Sequence, residues 1–116
     1  PIPAMQQYVL DVTARLNQDF PGNRCYIFGH MGDGNLHLVI GVGTPTPEVR
    51  RRVEGAVYEP LRKSGGSVSA EHGVGLEKKP YLDISRSSTE IALMRTLKRA
   101  LDSKGILNPG KIFDPA

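Results

Sequence analysis

One cysteine, no tryptophan and only three phenylalanines in 116 residues set the first limits on this chain. A lone Cys25 cannot form an internal disulfide and suits a reducing compartment such as the cytoplasm. Its place in an apolar, β-prone run reads as a small buried hydrophobe rather than a reactive thiol. No apolar run approaches the roughly 18 residues that span a bilayer, so no transmembrane segment is expected. No signal peptide is evident, and the start Pro1-Ile2-Pro3, without an initiator Met, suggests an excised or processed piece. Charge is not one-sided either: 15 Lys and Arg against 12 Asp and Glu leave a net charge of +3. The basic residues are spread over Arg50-Arg51-Arg52, Lys78-Lys79 and Lys98-Arg99 with few aromatics beside them, which argues against a nucleic-acid surface. The first of these groups reads as a solvated helix face, and the net charge leaves attraction of an anionic substrate open. The length suits one domain with a single ordinary core, and no repeat or low-complexity stretch divides it.

What the chain does have is regular patterning. Met5, Tyr8, Val9, Val12 and Leu16 recur at helical spacing, predicting a helix over residues 3–19 that Phe20-Pro21-Gly22-Asn23 ends. Two β-prone runs follow, over residues 24–31 and 35–42. Thr46 and Pro47 form a helix start, and Val49, Val53, Ala56 and Val57 give that helix its apolar stripe. Pro60 should kink it or restrict its last turn, and Gly65-Gly66 closes it. Residues 67–71 alternate like a short strand, residues 77–85 are ambiguous with a short helix around Tyr81, and Ser88 or Thr89 caps a last helix. Its stripe of Ile91, Met94, Leu97 and Leu101 reads as core. The order α-β-β-α-β-α implies an α+β fold, a small antiparallel sheet packed by helices.

The densest chemical signal is Gly29-His30-Met31-Gly32-Asp33-Gly34-Asn35-Leu36-His37. Asp33-Gly34 between β-prone runs signals a two-residue hairpin turn. In that register Gly32 faces Asn35, Met31 faces Leu36 and His30 faces His37, with opposed Cβ atoms roughly 4.5–5.5 Å apart. Two imidazoles so placed can converge on one metal ion at about 2.0–2.1 Å each. A three-residue loop would instead make the pairing diagonal and separate the rings. Taken singly, either histidine reads as a surface residue beside a glycine turn. The second cluster is Glu71-His72-Gly73-Val74-Gly75. As the end of a strand it would present Glu71 on the face of Ser67 and Ser69, and with His30 and His37 it completes a two-histidine, one-carboxylate set. Three protein ligands leave a position open for substrate, the pattern of a catalytic metal. Alone, Glu71-His72 is more simply a solvated loop pair.

These two motifs, together with Gly105-Ile106-Leu107-Asn108-Pro109-Gly110-Lys111-Ile112-Phe113, resemble the C-terminal domain of the FAD-linked oxidases, the flavin-dependent D-2-hydroxyacid dehydrogenases. The likeness covers nearly the whole chain, and residues 69–84 most resemble the D-2-hydroxyglutarate branch. The resemblance implies a partial ferredoxin-like cap. It also implies that His30, His37 and Glu71 bind a divalent metal, zinc in relatives, and that His72 acts as acid/base toward a small D-2-hydroxy acid. FAD would be held mainly by a domain of the same polypeptide that this chain lacks, with Asn108 either near the flavin or capping the last helix. Val39 departs from the Asn or Pro that relatives often carry there, which leaves the substrate's identity open. The expected activity is oxidation to the 2-oxo acid with hydride passing to the flavin, the fragment alone being inactive. Peripheral membrane association of the whole enzyme is left open. The competing readings are a free-standing metal- or small-ligand-binding module without redox activity, and a fragment that self-associates through apolar surface.

Overall fold

The computed structural model describes residues 1–114. The chain divides into two compact units, Pro1–Gly66 and Ser67–Ala116, rather than gathering around one core.

In the first unit a 3-10 turn at Ile2–Ala4 leads into α1, Met5–Asp19. Met5, Tyr8, Val12 and Leu16 are its buried residues, the three- and four-residue spacing that sets side chains on one helical face. The antiparallel strands β1, Arg24–His30, and β2, Asn35–Gly41, follow, and then α2, Pro47–Ser64. Tyr8, Val12, Leu16 and Ala56 form the buried cluster, with Cys25, Leu36, Leu38, Ile40, Val53, Val57 and Leu61 packed against it. One face of the hairpin and the facing stripes of α1 and α2 therefore share one apolar interior. Cys25 lies at its margin, and partial burial raises its thiol pKa. The buried Tyr8 phenol is raised further, chiefly by desolvation, while its hydroxyl donates to the Val57 carbonyl at 2.9 Å.

The start of α2 follows its expected chemistry: Thr46 Oγ1 accepts from the Val49 amide at 3.1 Å, and Pro47 stands at the first helical position. Pro60 does not end the helix, which continues to Ser64 and closes with Gly66 N donating to Leu61 O at 3.0 Å.

The hairpin takes a different register from the one a two-residue loop would impose. The loop is a 3-10 turn, Met31–Asp33, followed by Gly34 at φ 71°, so Asp33-Gly34 finishes a longer turn instead of making the whole of a short one. His30 consequently faces Asn35, His37 faces Phe28, and Gly29 faces Leu36. Gly29 is tied to this arrangement by its missing side chain, since a Cβ there would lie 2.3 Å from the Asn35 carbonyl oxygen.

The second unit contains short helices and no strand among its described residues. The alternation over residues 67–71 does not become a strand. Ser67 Oγ bonds to the Ser69 carbonyl at 2.9 Å, and Ser69 Oγ donates to the Gly73 carbonyl at 2.7 Å. Serine hydroxyls thus take up backbone groups that a ladder would need, the usual competition between such side chains and regular structure. The ambiguous stretch resolves as a 3-10 turn, Lys79–Tyr81, running into α3, Leu82–Ser85. The last helix, α4, spans Ser88–Leu101 and is capped by Ser87 rather than by Ser88 or Thr89. Ser87 and Glu90 form a reciprocal capping box, and only that residue pair has the three-residue separation the box needs. Bonding to the Ser87 amide and hydroxyl, with Arg86 nearby, lowers the Glu90 pKa.

The expected core stripe of α4 is not buried. Ile91 and Met94 are half-buried, whereas Leu97 and Leu101 are 51% and 82% exposed. Amphipathic spacing specifies a helix with an apolar face but does not supply the surface to cover it. At the end of α4 the Asp102 carboxylate accepts from the amides of Ile106 at 3.0 Å and Leu107 at 2.9 Å, and from Lys98 Nζ. The Lys98 ammonium foremost, with those two amides, lowers its pKa against the effect of burial. Asp102, not Asn108, thus closes this helix. With a two-stranded antiparallel sheet and four α-helices the fold is α+β.

Candidate functional site

The three histidines of the chain all fall in its two chemical clusters. His30 and His37 lie on the outer face of the hairpin, away from Cys25, Leu36 and Leu38. The observed register differs by two residues from that of a two-residue loop and so keeps them on one face, because a shift of two preserves side-chain direction whereas a shift of one reverses it. They are diagonal neighbours, with ring centroids 6.3 Å apart and planes at 86°. Two imidazoles bound to one tetrahedral ion would hold their centroids about 5 Å apart, given metal–nitrogen bonds near 2 Å. At 6.3 Å the two rings stand wider apart than that. His37 also stacks on Phe28, its direct cross-strand partner, with centroids 5.4 Å apart and planes 16° from parallel. Asn35, opposite His30, is only 7% exposed. Around this polar group the same face shows Tyr26, Phe28 and Val39, each more than half exposed.

Glu71 and His72 stand at the tip of the irregular loop in the second unit, with Glu71 Oε2 3.6 Å from His72 Nε2. Their side chains are 41% and 82% exposed. The Ser69 hydroxyl closes the loop beneath them through its bond to Gly73 O, and Ser85 Oγ accepts from the Val68 amide at 2.8 Å. Behind the glycine turn, the Ile112 amide donates to Gly75 O at 2.9 Å. Ile112 makes this bond at φ 64°, a conformation that costs a β-branched residue about 1–3 kcal/mol. Lys79 Nζ holds the same tail by donating to Gly110 O at 3.1 Å and to the Asp114 carboxylate. Asn108 is exposed, at φ 49°, and its carbonyl accepts from the Lys111 amide at 3.2 Å.

The structure thus brings the expected residues together as two pairs, one in each unit. Among the described residues no group of three or more His, Cys, Asp or Glu side chains is gathered to hold a metal ion. Sequence reasoning placed Ser69 beside Glu71 but missed Phe28 beside His37, the bond from the Val68 amide to Ser85, and the bonds of Lys79 to the tail. The Phe28 partnership was hidden by the assumed register. Nothing in the spacing of Lys78-Lys79 distinguishes Lys79 from the chain's other spread basic residues.

The chain matches the family of FAD linked oxidases, C-terminal domain, over residues 1–112, and it belongs to that family. It is 41% identical to a D-2-hydroxyglutarate dehydrogenase of Xanthomonas citri pv. viticola, covering 97% of this chain and 25% of the relative. The same name is borne by a protein of Stutzerimonas stutzeri, 40% identical over 91% of this chain and 24% of its own length. A mitochondrial D-2-hydroxyglutarate dehydrogenase of Rattus norvegicus is 40% identical, covering 96% of this chain and 20% of the relative. The chain therefore spans a quarter or less of the length of these relatives.

Proposed function

We propose that this chain is the substrate-side part of an FAD-dependent dehydrogenase that oxidises a D-2-hydroxy acid, of the D-2-hydroxyglutarate or D-lactate type, to the 2-oxo acid. The observation that carries the reading is the 41% identity to a D-2-hydroxyglutarate dehydrogenase across 97% of the chain. In this reading His30 and His37 hold a divalent metal, zinc by resemblance, with Glu71 as third ligand. Such an ion would lower the pKa of the substrate's 2-hydroxyl. FAD, held mainly by a further segment of the polypeptide and approached by Asn108, would accept the hydride from C2.

His72 takes the hydroxyl proton, a task suited to an imidazole beside a carboxylate that can orient it. Its exposure leaves the ring accessible to a substrate, and the neighbouring glycines let a ligand approach the backbone closely. The exposed outer face of the hairpin and the leucines of α4 would be covered in the complete enzyme or, in the chain alone, through self-association. No described helix is long and apolar enough to cross a membrane, and lone Cys25 suits a reducing compartment.

The test is turnover of D-2-hydroxyglutarate and D-lactate by the intact flavoenzyme containing this chain, with metal analysis of the same preparations. His37→Ala and Glu71→Ala should lower metal content and activity together, while His72→Ala removes activity and keeps the metal. Normal metal occupancy in both ligand variants would refute the ligand assignment. The chain alone should neither retain flavin absorbance nor turn over substrate.

A further inference from the structure

The loop that carries Glu71 and His72 has no helix or strand to hold its shape, so its conformation depends on the side chains and the tail behind it. Ser69 closes the tip and Ser85 ties Val68 to α3, but the glycine turn at residues 73–75 is braced from outside, by the Ile112 amide on Gly75 O at 2.9 Å. Ile112 lies in an irregular tail and adopts a φ of 64° to reach that carbonyl. Something must hold the tail there. Lys79 does so: its side chain is only 22% exposed, and its ammonium bonds to Gly110 O on one side of Ile112 and to Asp114 on the other. Ile112, Phe113 and Asp114 face Lys79, Leu82, Ile91 and Arg95 across a shallow depression, with the Arg95 guanidinium 5.2 Å from the centre of the Phe113 ring.

We propose that Lys79 is a positioning residue, which clamps the tail at residues 110–114 so that Ile112 braces the turn behind Glu71 and His72. The inference rests on the functional reading of those two residues and adds a residue that touches neither substrate nor cofactor. A merely structural ion pair would affect stability alone. A positioning clamp also sets the geometry of the reacting groups, where a displacement near 1 Å can lower turnover on the order of a hundredfold.

The experiment is hydrogen exchange combined with steady-state kinetics on the intact flavoenzyme. Lys79→Met should speed exchange of the Ile112 amide about tenfold or more and lower kcat with little change in KM, and Lys79→Arg should restore both. Unchanged Ile112 exchange in Lys79→Met overturns the clamp. Faster exchange with unchanged kcat overturns the positioning role. Asp114 is 78% exposed, so Asp114→Ala serves if Lys79→Met does not fold. It should produce the same changes at smaller amplitude, and no change in either readout counts against the proposal. Full turnover by His72→Ala would instead refute the functional reading, leaving the exchange result to stand or fall separately.

Discussion

The two units each present a pair of donor side chains, and they support them in unlike ways. His30 and His37 are fixed to a backbone ladder: once the strands pair, every residue's face and neighbour follow from the pleat. Glu71 and His72 stand on a loop whose shape is kept by Ser69, Ser85, Lys79 and the Ile112 amide. A ladder is made of groups that every residue carries, so it tolerates substitution on its outer face. A loop held by particular hydroxyls and one ammonium does not, because each substitution removes a bond that nothing else replaces. The same contrast appears in the interiors, where the first unit has a cluster extending through two helices and a sheet. In the second, Val68, Leu82 and Ile84 are the buried apolar residues among those described.

Experiments can break or sharpen that contrast. The largest effect is expected from His72→Ala in the flavoenzyme, a fall in kcat of about 10²–10⁴, the usual worth of a general acid or base. If the loop residue is dispensable, stopped-flow reduction of the flavin will proceed at the parent rate. Next is Leu16→Ala, which removes a fully buried side chain and should cost about 2–5 kcal/mol in urea unfolding. Exchange protection should fall in β1 and β2 while the amides of α4 keep theirs. Simultaneous loss in both would show that the units do not act separately.

Smaller changes probe the supports themselves. Phe28→Ala removes the ring stacked on His37 and should cost about 1 kcal/mol of hairpin stability beyond the lost area. Phe28→Tyr, which keeps the aromatic face, should recover most of it. Ser87→Ala deletes the cap of α4 and should cost about 1 kcal/mol, measured by thermal unfolding.

The smallest effect is a response to acid. The folded-state pKa values of Glu90 and Asp102 lie below the ordinary 4.5 and 3.8, so their contribution is complete above those values. It is lost as pH falls through the lowered ones. The strands contain no carboxylate. Acid titration followed by amide shifts should therefore loosen the ends of α4 before the hairpin ladder. Hairpin amides moving first would reverse the expected order.

Much of this arrangement was legible in the chain. Helical spacing placed α1 and α2, Thr46-Pro47 placed a cap, and the register of a two-residue loop put His30 and His37 on a common face. That conclusion survived a wrong register, because the loop displaced the pairing by two residues and so preserved the face. The direct opposition of the two rings did not survive it. Asp33-Gly34 is compatible with more than one loop length, and the choice was made by the 3-10 turn at Met31–Asp33 and the close approach of the Asn35 carbonyl to Gly29. The expected strand at residues 67–71 failed for a related reason: alternation shows which faces a strand would have, but not whether a partner strand exists.

The sequence by itself carried the family resemblance in its motifs and determined the main helices and the hairpin, because those elements follow from local spacing along one chain. Only the tertiary structure decided that His37 stacks on Phe28, that the leucines of α4 stand open, and that Lys79 reaches across 31 residues to hold the tail at Gly110. Those contacts join residues that no periodicity relates, and they depend on how distant backbone groups are brought within bonding distance.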